Sequence, residues 1–132
     1  MFSHVFVSVG DFERALAFHG AVMDSLGLAL RFCERDKPWA GWQSAGNARP
    51  LFVICHPFNG QPHDPGNGQM VAFAAADRAT VRAAHATALA HGGTCEGPPG
   101  VRPHYHANYY AAFVIGPDGH NIEAVCHEPM GK

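Results

Sequence analysis

An internal repeat constrains the fold of this chain more than any other feature of its sequence. Three residue pairs recur at a constant spacing of 66 residues: Asp11 with Asp77, His19 with His85, and Gly27 with Gly93. Later in each half, the dipeptide Cys55-His56 returns as Cys126-His127 at a spacing of 71 residues. A repeated supersecondary unit buries the apolar face of each copy against the other. The sequence therefore predicts a tandem duplication.

The first copy has the pattern of a strand, a helix and three further strands. Asp11 is a predicted helix N-cap, because its side chain can accept a hydrogen bond from the first helical turn. Gly27 is predicted to end that helix. The predicted elements are a strand at 3–9, a helix at 12–26, and strands at 28–35, 39–43 and 51–56.

The second copy repeats this order. Asp77 is the predicted N-cap of a helix that runs to about residue 91, and its predicted apolar face consists of Val81, Ala84, Ala88 and Leu89. We predict a short strand at 94–96, and a rigid proline-containing loop at 97–103. The remaining predicted strands lie at 70–75, 109–115 and 121–126. Each copy is therefore a β-α-β-β-β module.

Length, charge and cysteine usage limit the domain organisation and the binding partners that the protein can have. The 132 residues make a single domain, with module one at about 1–57, a linker at 57–68 and module two at about 68–130. A net charge of −2 gives no electrostatic case for binding nucleic acid or an anionic membrane. No apolar run approaches the length of a membrane-spanning helix. Four cysteines without a C-x-x-C motif are typical of reduced thiols, so we expect a cytoplasmic protein.

One acidic residue in the last predicted hairpin needs an explanation. The turn 116–119 has the sequence Gly-Pro-Asp-Gly, and Glu123 lies in the following strand among apolar residues. Acidic residues are depleted in strands, and a buried carboxylate needs a metal, an arginine or hydrogen-bond donors as a partner. Glu123 is therefore the first candidate for a functional residue.

The paired modules and two sequence motifs resemble the vicinal oxygen chelate superfamily, which includes glyoxalase I, bleomycin-resistance proteins and extradiol dioxygenases. The more specific motif is Tyr-Tyr-Ala-Ala-Phe-Val-x-x-Pro-Asp-Gly-x-Asn-Ile-Glu at 109–123, and the second is the opening stretch 4–15. The resemblance implies an α+β fold in which two tandem β-α-β-β-β modules form an open, cup-shaped mixed sheet. A metal site between the modules would be held by their first and last strands.

Carried onto this chain, the resemblance assigns His4 and Glu123 as metal ligands. The repeat spacing puts the other two ligand positions near Phe52 and Met70, and neither residue is a ligand for a hard or borderline divalent cation. His106, on the loop before the aromatic strand, is the best replacement. The cofactor implied is one divalent ion, namely zinc, nickel, manganese or iron. We expect His4 and Glu123 to share one cavity, with a histidine from the 104–106 loop at its rim.

Aromatic and cationic residues near this predicted site are candidates for binding a substrate. Aromatic side chains with polar handles are the usual lining of a small-molecule pocket, and an arginine can bind a carboxylate through two hydrogen bonds. The candidates are Trp42, Phe52, Met70, Arg102, Tyr105 and Tyr109. The expected partner is a small molecule, and the resemblance further implies a homodimer.

Three functions fit these observations. The first is a metal-dependent lyase or isomerase of glyoxalase type, acting on a small oxygenated substrate with Glu123 as the catalytic ligand or base. The second is a metal-free protein of bleomycin-resistance type that binds or sequesters a small molecule, which Phe52 and Met70 favour. The third is an extradiol-type dioxygenase. The sequence alone leaves open whether the protein is an enzyme.

Overall fold

Module one forms a four-stranded mixed sheet with one helix. The computed structural model describes residues 1–130. Strands β2, β3 and β4 are antiparallel neighbours, and β1 lies parallel to β4 at the edge, so the order is β1-β4-β3-β2. The elements are β1 (His4–Ser8), α1 (Phe12–Ser25), β2 (Leu28–Glu34), β3 (Trp39–Ser44) and β4 (Leu51–Cys55). We call this the first sheet.

Module two repeats the same topology. Its strands have the order β5-β8-β7-β6, with β5 parallel to β8 at the edge of what we call the second sheet. The elements are β5 (Met70–Ala74), α2 (Arg78–Ala90), β6 (Thr94–Val101), β7 (Tyr110–Ile115) and β8 (Asn121–Cys126). The predicted α+β fold of two β-α-β-β-β modules is confirmed. Its mixed sheet is divided in two, because within residues 1–130 no strand of one sheet pairs with a strand of the other.

The repeated aspartates start the helices as predicted. The Asp11 side chain accepts a hydrogen bond from the Arg14 backbone N–H, and Asp77 accepts one from the Thr80 backbone N–H. Each bond satisfies a backbone donor that has no partner within its helix. Gly27 follows α1 with a φ of 76°, in the left-handed region that a glycine adopts without strain.

Two details of module two differ from the prediction. Strand β6 continues through the prolines to Val101 instead of ending at residue 96. This is possible because β6 is an edge strand, where a proline need not donate to the ladder, and because its register with β7 shifts twice. The helix residue Leu89 is 40 % exposed, so it does not belong to the buried face of α2.

The core joins the two modules through their helices. Helix α1 packs on the first sheet, α2 packs on the second, and the two helices contact each other. One apolar cluster contains Phe18 and Phe52 of module one together with Phe73 and Ile122 of module two. The modules therefore bury their helix-bearing faces against one another, as a duplicated unit requires. No helix among the described residues is long and apolar enough to cross a membrane.

A neutral histidine inside this core predicts a pH-dependent stability. His19 is 1 % exposed, and neither ring nitrogen has a hydrogen-bond partner. Burial, followed by the nearby His120, lowers the pKa of His19 from 6.5 to about 3, although Asp118 acts in the opposite direction. Between these two pH values the unfolded chain binds a proton at His19 that the folded chain does not. The free energy of unfolding should therefore fall below pH 6.5, by up to about 1.4 kcal/mol per pH unit from this group.

Urea denaturation between pH 7 and pH 4.5 measures this dependence. The variant His19→Leu removes the group and should lose much of the slope, although His120, whose pKa burial also lowers, retains part of it. An unchanged slope in His19→Leu would show that His19 is not the group responsible.

Candidate functional site

Each sheet has one face covered by a helix and one face turned away from it, which we call the outer face. In β1, Val7 and Val9 pack into the core, so the alternating residues His4, Phe6 and Ser8 lie on the outer face of the first sheet. In β8, Ile122 and Ala124 pack under the helices, so Glu123 lies on the outer face of the second sheet. The two residues that the resemblance assigns as ligands therefore lie on two different sheets.

Glu123 is buried, and its carboxylate is hydrogen-bonded to Tyr109. It is 4 % exposed, lies between Ala72 and Phe113 on the neighbouring strands, and accepts a hydrogen bond from the Tyr109 hydroxyl. Burial, followed by the hydrogen bond to Glu123, raises the pKa of Tyr109 to about 12. Tyr109 is therefore a protonated phenol at neutral pH, and it acts as the donor in this bond.

Aromatic rings surround the Tyr109 side chain. Its ring lies 4.7 Å from that of Tyr105, 5.4 Å from that of His106 and 5.3 Å from that of His127, measured between centroids. Nε2 of His106 lies 2.9 Å from Nδ1 of His127. The structure thus brings the predicted residues Glu123, Tyr109, Tyr105 and His106 to one part of the second sheet. Tyr109 lies between His106 and Glu123, because its ring contacts His106 and its hydroxyl bonds to Glu123.

Arg102 lies next to this group, with its guanidinium already engaged. It donates to the Gly100 carbonyl at 2.8 Å and the Pro98 carbonyl at 2.7 Å, and lies over the Phe113 ring at 5.3 Å. The two hydrogen bonds fix the guanidinium to the irregular end of β6, and the contact with Phe113 places it against β7. The predicted interaction with a substrate carboxylate would have to share the guanidinium with these carbonyls.

The side chains of the predicted ligands His4, Glu123 and His106 do not lie together within one copy of the chain. His4 is exposed, its Nδ1 lies 3.0 Å from the Ser3 hydroxyl oxygen, and its ring packs beside Phe6. Within residues 1–130, the structure contains no group of three or more His, Cys, Asp or Glu side chains placed to hold a metal ion.

Strand pairing also corrects the equivalence between Phe52 and Glu123. His4 pairs with Leu51 in module one, and Met70 pairs with Asn121 in module two, so the equivalent of Glu123 is Val53. Phe52 is one residue away and packs in the core. The spacing of the Cys-His repeat therefore gave a register that is wrong by one residue. A shift of one residue moves a side chain to the other face of the sheet. Strand lengths and the alternation of apolar residues were the signals that could have corrected it.

The remaining predicted residues line a cavity between the two sheets. Its volume is about 560 Å³, and Trp42, Phe52 and Met70 all contribute to its wall. Every residue of β5 from Met70 to Ala74 lines it, and Ala72 is also the neighbour of Glu123 in the sheet. Sequence reasoning missed Phe73 and Leu28, which lie in the same wall, and the polar groups Gln43 and Ser44 at its end. The alternation of apolar residues in β5 was the available signal for Phe73.

Comparison with known proteins is consistent with this architecture. A family model described as Glyoxalase/Bleomycin resistance protein/Dioxygenase superfamily matches residues 1–124. A glyoxalase/bleomycin resistance protein from Albidiferax ferrireducens is 38 % identical, with a TM-score of 0.84 over 96 % of this chain and 98 % of that one.

More distant structures share the fold. A glyoxalase-related enzyme from Fulvimarina pelagi is 20 % identical, with a TM-score of 0.72 over 96 % of this chain and 87 % of its own. A family enzyme from Burkholderia phytofirmans is 16 % identical, with a TM-score of 0.72 over 96 % of this chain and 98 % of its own. No curated protein matches the chain. The duplicated fold, the matched segment and the 38 % identical structure show that the chain belongs to the glyoxalase/bleomycin resistance protein/dioxygenase superfamily.

Proposed function

We propose that this protein binds a small, largely apolar or aromatic molecule in the cavity between its two sheets, and that binding needs no metal ion. The observation that carries the proposal is the cavity of about 560 Å³ walled by Trp42, Phe52, Phe73 and Met70. This volume lies within the range typical of ligand sites, roughly 300–1,000 Å³. Gln43 and Ser44 add hydrogen-bonding groups that favour a ligand carrying an oxygen function.

The donor set of one chain does not fit the divalent ion that the resemblance implies. Strand pairing makes His4, Val53, Met70 and Glu123 the four equivalent positions, and two of them are apolar. Valine offers no ligand atom, and the thioether of methionine is a soft ligand unsuited to zinc, manganese or iron in an oxygen and nitrogen site. We therefore assign no step of the proposed function to a metal.

Met70 offers a substitution that fills the cavity without entering the core. Its side chain is 51 % exposed and lies in the cavity wall, so Met70→Arg should introduce a charge there at little cost to stability. We expect the strongest binder from a library of small aromatic alcohols, ketones and acids to bind this variant about tenfold more weakly or worse, a change of about 1.4 kcal/mol. Isothermal titration calorimetry measures the dissociation constants.

Met130→Arg is the matched control, because Met130 is 79 % exposed and does not line the cavity. It should bind with the affinity of the unchanged protein. Equal affinity of Met70→Arg and Met130→Arg would contradict a ligand site in this cavity.

A second function, proton transfer by a lyase or isomerase, is favoured by the environment of Glu123. Glu123 is buried, and the hydrogen bond from Tyr109 engages one of its two oxygens, so the carboxylate can still accept a proton from a bound molecule. The neighbouring phenol of Tyr109 keeps its own proton and can orient the carboxylate. The substrate class we propose for this reaction is a small carbonyl compound with a hydroxyl group on the adjacent carbon.

We further propose that two copies associate as a homodimer in the cytoplasm, as the family resemblance implies. An exposed apolar side chain on β1, at the open edge of the first sheet, supports the association: Phe6 is 51 % exposed. Burying such a side chain against a second copy would be favourable. The four cysteines are free thiols in the structure, which is consistent with a reducing compartment.

A further inference from the structure

A serine and a histidine form an oriented hydrogen-bonded pair away from Glu123. The Ser8 hydroxyl oxygen lies 2.7 Å from Nδ1 of His63, and Nε2 of His63 lies 2.7 Å from the backbone carbonyl oxygen of Asp118. A carbonyl oxygen can only accept, so Nε2 must carry the imidazole proton. Nδ1 is then the acceptor, and the Ser8 hydroxyl donates to it. This is the proton arrangement required of a nucleophilic hydroxyl and its general base.

The group that orients His63 is itself held firmly. One carboxylate oxygen of Asp118 accepts hydrogen bonds from the Gly10 backbone N–H and from Arg14, both at 3.0 Å. The Asp118 side chain is 1 % exposed, so this ion pair fixes the β7–β8 turn to the start of α1. The Asp118 carbonyl therefore has a fixed position, and His63 is bound at both ring nitrogens although it lies in the linker.

Ser8 is accessible from two cavities. One, of about 280 Å³, is also lined by Gln69 and Asn121, and the other, of about 580 Å³, is also lined by Trp39 and Phe58. Small carboxylic esters fit within either volume.

The backbone beside Ser8 offers a hydrogen-bond donor. Val9 donates its N–H to the Cys55 carbonyl, and Ser3 accepts from the Leu51 N–H, so the odd-numbered residues bond to β4. In a parallel pair, the intervening residues direct their amides to the other side. The Ser8 N–H consequently faces the open edge of the sheet, where it can donate to a negatively charged oxygen.

The neighbouring thiol does not compete as a nucleophile. Cys55 pairs with Ser8 across the β1–β4 ladder, and burial raises the pKa of its thiol, which keeps it protonated.

We propose that Ser8 and His63 form a nucleophile–base pair that cleaves small carboxylic esters. The Ser8 oxygen attacks the ester carbonyl carbon while its proton passes to Nδ1 of His63. The bond to the alcohol oxygen then breaks, and the leaving alcohol takes the proton from His63. Water attacks the resulting acyl-serine with His63 again as base, which releases the carboxylic acid and restores Ser8.

Ser3 and His4 provide a matched control within the same strand. The Ser3 hydroxyl oxygen lies 3.0 Å from Nδ1 of His4, but within the described residues no hydrogen bond orients the second nitrogen of His4. Both pairs thus consist of a serine and a histidine. They differ because the Asp118 carbonyl orients the histidine of the Ser8–His63 pair. Only the Ser8–His63 pair should be reactive.

Labelling with an alkyl fluorophosphonate, followed by peptide mass spectrometry, tests the proposal. We expect one adduct, on Ser8, in the unchanged protein. This measurement uses the original sequence, so a misfolded variant cannot affect it. His63→Gln should lower the labelling rate about 100-fold, because a general base contributes at least that factor. Ser3→Ala and His4→Gln should label at the original rate.

Three results would overturn the proposal: an unlabelled Ser8 after exhaustive reaction, an adduct on Ser3 instead, or an unchanged rate in His63→Gln. Hydrolysis of p-nitrophenyl acetate provides a second measurement, in which Ser8→Ala should lose the initial burst of p-nitrophenol. Ser8 does not line the cavity of about 560 Å³ between the two sheets, so ligand binding there should persist in Ser8→Ala. Failure of this proposal is therefore distinguishable from failure of the proposed function.

Discussion

Replacing Phe18 with alanine is expected to lower the free energy of unfolding by about 3–5 kcal/mol, the range found for fully buried phenylalanines. Phe18 is 0 % exposed and belongs to α1 of module one. A Cβ atom built on Gly93 or Gly116 of module two would lie 3.2 or 3.1 Å from the Phe18 ring. The ring thus fills a space that two glycines of the other module leave open, and its removal creates a cavity where the modules meet.

Urea denaturation followed by circular dichroism measures this loss. A small domain has a stability of about 5–15 kcal/mol, so Phe18→Ala should shift the midpoint strongly. Phe58→Ala is the matched control, because Phe58 is 105 % exposed and its removal should change stability by less than about 0.5 kcal/mol. Similar midpoints for the two variants would contradict packing of the modules through α1.

The second large effect concerns Glu123. If Glu123 accepts a proton from a bound hydroxy-carbonyl compound, Glu123→Gln should slow exchange of that proton with solvent by about 100-fold or more. Glutamine has a similar shape, and its amide oxygen can still accept the hydrogen bond from Tyr109. The fold should therefore persist while the proton acceptor is lost.

Hydroxyacetone in deuterated water is a suitable probe, with exchange followed by proton NMR. Glu96→Gln is a control, because Glu96 is an exposed carboxylate on the edge strand β6 of the same sheet. Exchange at the original rate in Glu123→Gln would show that Glu123 is not the proton acceptor. The proposed binding function does not depend on this result.

The order of elements was predictable because local signals specify it. The aspartate caps at Asp11 and Asp77 and the glycine after α1 depend on short-range hydrogen bonds and backbone conformation, which the sequence states directly. The extension of β6 through its prolines was not predictable in this way. It depends on the position of β6 at the edge of the second sheet, which is a property of the assembled fold.

The candidate site was predictable only in part, for a related reason. Glu123 was identified because an acid in an apolar strand needs a partner, and the structure supplies Tyr109. The expected meeting of His4 with Glu123 depended on how the two sheets lie relative to each other, which no local pattern specifies. The link between His63 and Ser8 joins the linker to β1 across 55 residues, so spacing gave no signal for it.

The most direct test of metal-independent binding is one calorimetric titration performed twice. The strongest aromatic ligand is titrated into protein treated with a chelator, and then into the same protein supplied with zinc. Because no His, Cys, Asp or Glu side chain among residues 1–130 lines the cavity around Trp42 and Met70, the two dissociation constants should agree within about twofold. Binding that disappears with the chelator and returns with zinc would contradict the proposal, and would assign the ligand to a metal site.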